Sequence, residues 1–182
     1  MLIAIAVLAM GVGGFQLYGS FGHSAASGSG PITSLSQWCT VFTRASTPPP
    51  GASYTPPVGS SPADLLSAKS QLRTYAADLV GQSREFASAS AAAPALHIDG
   101  YMASTAARVT LAQARVLEQA EAVLAALPAS ASAQQIHAAI RAATSRAVLG
   151  LATATAAAER GVIPARTVAS SKSIAAACPA QG

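Results

Sequence analysis

Between Ser61 and Arg160 the chain is rich in alanine, and its larger apolar side chains recur at helical intervals. Leu65, Leu72, Leu79 and Phe86 fall seven apart, a spacing that keeps one apolar seam along one side of a helix. Pro94 and Pro128 interrupt the stretch, and proline ends a helix because it lacks an N–H and its ring clashes with the preceding turn. The pattern therefore predicts three amphipathic helices joined by short breaks. Short connections force consecutive helices to fold back antiparallel. The expected fold class is all-α: an antiparallel up-and-down helical bundle of three long helices, with short helices before and after it.

The helix ends are written locally. Ser61 is a good N-cap, Pro62 suits the first helical position, and Asp64 follows in the first turn. This helix is expected to run to about Ala92. The second follows Asp99-Gly100 and is expected to reach Leu127, with Val109, Val116 and Val123 repeating at seven and Ala120 and Leu127 on the neighbouring line. The third begins at Ser132, where Ser132 and Gln135 form an S-x-x-Q capping box. Ile136, Ile140, Ala143, Ala147 and Leu151 give it an inward face. Gly161 and then Pro164 predict its stop, a left-handed cap followed by a residue that cannot continue. A final short helix between Pro164 and Cys178 would carry Val168, Ile174 and Cys178.

Ahead of the bundle, residues 1–21 are almost wholly apolar, with Gln16 the one strongly polar side chain before Ser20. About 20 such residues suffice for a helix to cross the bilayer's hydrocarbon layer. Ser24-Ala25-Ala26 supplies the small residues of a signal-peptidase site, whereas the basic residues that open a signal peptide are missing. The segment is expected to be a transmembrane anchor or a signal segment. Residues 22–33 form a flexible spacer, and 34–178 the helical domain. Within that domain, Ser34 to Arg44 predicts a short helix with its own capping box (Ser34, Gln37) and a stripe of Leu35, Trp38, Cys39 and Phe42. Residues 47–61 form a proline-rich linker that cannot be helical.

Of the 182 residues, 51% are hydrophobic but only 5% aromatic. Many small side chains would be buried, each contributing less than a leucine at roughly 25 cal/mol per Å² of apolar area. Covalent reinforcement matters more to such a core. The two cysteines, Cys39 and Cys178, are expected to form one disulfide, with free buried thiols or a redox or metal role as rivals. Cys-x-x-Cys is absent and no histidine adjoins either cysteine. In the chain-entropy description a loop of ~100 residues contributes about 4.7 kcal/mol. That is large beside a typical stability of about 5–15 kcal/mol.

Charge argues against nucleic acid as a partner. The 11 Lys and Arg and 7 Asp and Glu give a net charge of +4 that never gathers into a run. Nucleic-acid binders cluster their cations on one face.

Chemistry-bearing groups are dispersed. A di-metal carboxylate bundle needs Glu-x-x-His on two helices, and none of Asp64, Asp78, Glu85, Asp99, Glu118, Glu121 or Glu159 has a histidine three residues on. Glu118 and Glu121 share a helix face, where Arg115 invites a surface ion pair. A haem or copper site would have to draw on His97, Met102 or His137, and no two histidines stand four apart. Serine-hydrolase elbows and phosphate-binding glycine loops are missing. The reading assigns no catalytic, cofactor-binding or metal residues, and only Cys39 and Cys178 as a disulfide. The expected function is that of a non-enzymatic, extracytoplasmic, membrane-tethered accessory subunit of a cell-envelope or membrane complex. Its partners would be the bilayer, through residues 1–21, and a membrane protein. The alternative is a carrier that binds a lipid or haem in the bundle core.

Overall fold

A computed structural model of the chain describes residues 30–47 and 55–178. The expected anchor or signal segment (1–21) and all but the end of the spacer lie outside the described residues. Within them the chain is all-helical: α1 (Leu35–Ser46), α2 (Pro62–Ala92), α3 (Tyr101–Ala125), α4 (Ala133–Arg160) and α5 (Pro164–Ala177). A 3₁₀ turn, Pro94–Leu96, follows α2. No described helix is long and apolar enough to cross a membrane.

The N-terminal signals work as their local chemistry requires. The Ser34 hydroxyl accepts from the Gln37 N–H, and the Gln37 carboxamide oxygen accepts from the Ser34 N–H. Ser61 and Asp64 make the same reciprocal pair at α2, and Ser132 and Gln135 at α4. These contacts satisfy N–H groups that a helix start leaves without intrahelical partners.

Helices α2, α3 and α4 pack side by side in sequence order. The Ser83 hydroxyl donates to the Ala107 carbonyl at 2.7 Å, and Arg73 pairs with Glu121 at 2.8 Å. Residue numbers thus fall along α2 as they rise along α3. The same inversion holds between α3 and α4, where Gln113 donates to Thr155 and Val116 lies against Gly150.

The apolar interior divides into two clusters. One joins α2, α3 and α4 through Leu72, Leu79, Leu117, Leu124, Ile136, Ile140 and intervening alanines. The other gathers Trp38, Val41 and Phe42 of α1 with Phe86 and Ala89 of α2, Ile98, Met102 of α3 and Ile174 of α5. The Leu65–Leu72–Leu79–Phe86 seam divides between them, with Leu65 partly buried at its outer end.

Several expectations need correction. α3 stops at Ala125, and its most buried line is Ala114, Leu117, Ala120 and Leu124. The Val109–Val116–Val123 line is only half-buried. α3 lies between two helices and so has two inward lines; Val116 takes the α4 side, where Gly150 faces it. In α1 the stripe is Trp38, Val41, Phe42 and Ala45, and Leu35 is exposed. In α5 the buried residues are Ser170 and Ile174, and Val168 is 55% exposed. Gly161 does not adopt the left-handed conformation expected of it. That conformation occurs instead at His97 (φ 58°), which closes the 3₁₀ turn after α2.

Candidate functional site

The functional groups of the chain converge most at one end of the bundle, where α1 begins, α2 turns into α3, and α5 ends. Trp38 fixes α1 there. Its ring is fully buried, stacks on Phe42 at 5.0 Å, and its indole N–H donates to the Ala89 carbonyl at 2.7 Å. Phe42 in turn meets Phe86 edge-on at 5.7 Å. Arg44 pairs with Glu85 at 2.8 Å and Gln82 donates to the Thr47 carbonyl, so α1 is held to α2 along its length.

Next to Trp38 in the chain, Cys39 is joined to Cys178 by a disulfide, with Cα atoms 5.6 Å apart. Both cysteines are partly buried beside the second apolar cluster. The expected pairing is present.

α5 meets the α2–α3 turn through polar contacts that sequence reading missed. The Asp99 N–H donates to the Ser173 hydroxyl at 3.1 Å. The Ser170 hydroxyl donates to the Asp99 carbonyl at 2.7 Å and accepts from the Met102 N–H at 3.2 Å. Gly100, at the N-cap of α3, has no side chain to offer. The cap is assembled from Asp99, whose carboxylate accepts from the Tyr101 N–H at 2.9 Å, and from Ser170 of another helix. At the start of α5 the Ile163 N–H donates to the Tyr101 hydroxyl, and the Arg166 guanidinium lies 4.6 Å over the Tyr101 ring. The available signal was the pair Ser170 and Ser173, three apart in a helix otherwise built from small residues.

The other candidates do not meet. His97 is exposed in the turn after α2. His137 is exposed in the first part of α4, beside an open groove of about 420 Å³ lined by Pro56, Pro57, Val58, Ile140 and Arg141. Met102 belongs to the second apolar cluster. Glu118 is exposed, and Glu121 pairs with Arg73 of α2 rather than with a residue of its own helix. Among the described residues no three His, Cys, Asp or Glu side chains gather as metal ligands would. Hydrogen bonds from Ser61, first from its hydroxyl and then from its backbone, hold the Asp64 carboxyl below the usual range. Burial raises Asp78 and Tyr75. Each shift has a structural cause: the α2 cap for Asp64, and burial for Asp78 and Tyr75.

Comparison with protein-family models, curated proteins and solved structures found no match.

Proposed function

We propose that this chain is a non-enzymatic accessory subunit of a membrane or cell-envelope complex. It would be an antiparallel up-and-down bundle outside the cytoplasm, tethered through residues 1–21. The observation that carries the reading is the Cys39–Cys178 disulfide. Such bonds persist in oxidising compartments and are rare where cytosolic systems keep thiols reduced. The use of the polar side chains supports contact over reaction: Ser34, Ser61, Ser132, Ser170 and Ser173 are committed to caps and helix joints. Leu149 is 68% exposed beside half-exposed Val148, and Leu66 is 67% exposed on α2. These side chains offer apolar contact to a larger partner.

The test is a pull-down of the full chain from detergent-solubilised membranes under non-reducing conditions, with intact-mass analysis. The expected result is a chain that retains residues 1–21, lacks two thiol hydrogens and carries a defined membrane protein. Recovery of a solitary chain with free thiols would sink the proposal.

A second reading draws on the groove beside Pro56, Pro57 and Ile140. A lipid carrier would use it or a widened bundle core, and lipid extracted in stoichiometric amount from the purified protein would favour that reading.

A further inference from the structure

We propose that the Cys39–Cys178 disulfide is a redox-operated latch. Its reduction by a dithiol releases α5 from the α2–α3 turn and leaves α1 to α4 folded. The inference rests on the geometry of the clasped end and not on the accessory-subunit reading.

α5 is held lightly. Of its 14 residues only Ser170 and Ile174 are buried. Its other attachments are the buried hydrogen bonds of Ser170, together with the hydrogen bonds of Ser173 and Tyr101 and the Arg166–Tyr101 contact, these last on exposed or partly exposed groups at the helix surface. The exposed contacts are each worth little when water can replace them, which leaves Ser170, Ile174 and the disulfide as the main hold on α5. The disulfide sits at the C-cap of α5, while Gly161–Ile163 connect its other end to α4. Oxidised, the helix is covalently fastened at both ends; reduced, at one only.

The remaining helices keep most of their contacts to one another without α5. The cluster that joins α2, α3 and α4 contains no residue beyond Leu151. α1 keeps its own fastenings to α2, through Trp38 and Ala89, Phe42 and Phe86, and Arg44 and Glu85. The effect of release is therefore local but specific. It withdraws Ile174 from the cluster that holds Ile98 and Met102, and it takes Ser170 away from the first turn of α3. An apolar surface opens at the same place where a helix loses its cap. α5 carries Arg166 and Lys172 and no acidic residue, so the freed helix is a cationic segment.

The chemistry is ordinary exchange. A thiolate of the dithiol attacks one sulfur of the partly exposed bond, the S–S bond breaks, and the other cysteine leaves as a thiolate and takes a proton from water. The dithiol's second sulfur then displaces the first cysteine. Two protein thiols form, and the dithiol becomes a disulfide.

Amide hydrogen exchange on the full chain tests the latch, comparing the oxidised protein, the dithiothreitol-reduced protein and a C39S/C178S variant. Exchange in residues 166–177 and in the first turn of α3 is expected to rise on the order of tenfold or more in the last two, with α1, α2 and α4 unchanged. Two results overturn the proposal. If 166–177 stays protected after reduction, the disulfide does not hold α5. If protection falls in every helix together, the bond is a staple for the whole fold and not a latch.

Discussion

Ser170 caps a helix to which it does not belong: the Met102 N–H, in the first turn of α3, donates to the Ser170 hydroxyl of α5 at 3.2 Å. The same hydroxyl donates to the Asp99 carbonyl at 2.7 Å. Ser170→Ala leaves a buried donor and an acceptor without partners, which costs about 1–3 kcal/mol. Ser173→Ala, at a half-exposed site with one bond, is expected to cost about 0.5–1.5 kcal/mol. Urea unfolding of the two oxidised variants checks the order. A larger loss at Ser173 would contradict the capping role.

Trp38 combines packing with one polar tie. Trp38→Phe keeps an aromatic ring against Phe42 but removes the indole's bond to the Ala89 carbonyl, which still accepts from the Ala93 N–H, for an expected loss of about 0.5–1.5 kcal/mol. Trp38→Ala adds a cavity beside Val41 and Phe86, raising the loss to about 3–5 kcal/mol. Denaturant midpoints, read by circular dichroism because the substitution removes the fluorophore, distinguish the two.

Gly150 is set by its neighbour. A Cβ there would lie 2.4 Å from Val116 Cγ1. Gly150→Ala gains up to about 1 kcal/mol of helix propensity but overpacks the joint by about 1–3 kcal/mol. It is expected to destabilise the wild type and to be neutral or stabilising beside Val116→Ala. A double-mutant cycle measures that reversal, and simple additivity would show that the contact carries no strain.

Asp64 and Asp78 drive stability in opposite directions with pH. The folded pKa of Asp64 is lowered, so its contribution is present above its unfolded pKa and lost as pH falls through the folded one. Asp78 is raised by desolvation, so its contribution is full below the unfolded pKa and lost as pH climbs through the folded one. Asp64→Asn is therefore expected to destabilise at pH 7 and to be nearly silent well below about pH 4. Asp78→Asn is expected to stabilise at pH 7 and to do less in acid. Unfolding curves at pH 3 and pH 7 test both signs.

Which features could be read from the sequence follows from how far each interaction reaches. Ser61, Pro62 and Asp64 announce the start of α2 because cap and partner lie within three residues. The Leu72–Leu79–Phe86 seam and the Ile136–Ile140 face were legible because one helix side carries the larger apolar residues. α3 was misread because a helix between two neighbours has two inward lines, and counting sevens chose the half-buried valines over the buried Leu117 and Leu124. The joint at Asp99 was invisible for a different reason. Its donors and acceptors are backbone groups paired with serines about 70 positions away, which no local pattern encodes. The disulfide was legible because only two cysteines exist to be paired.

The bond between residues 39 and 178 also decides how the molecule bears load. Tension applied to the chain on either side of these two positions passes from one sulfur to the other and bypasses the 138 residues between them. While the bond is intact, the long helices hang from the loaded path as a slack loop, so the flanking chain can be pulled hard without unwinding them. Once it is broken, the same pull must peel α5 away first and then run through every helix in turn.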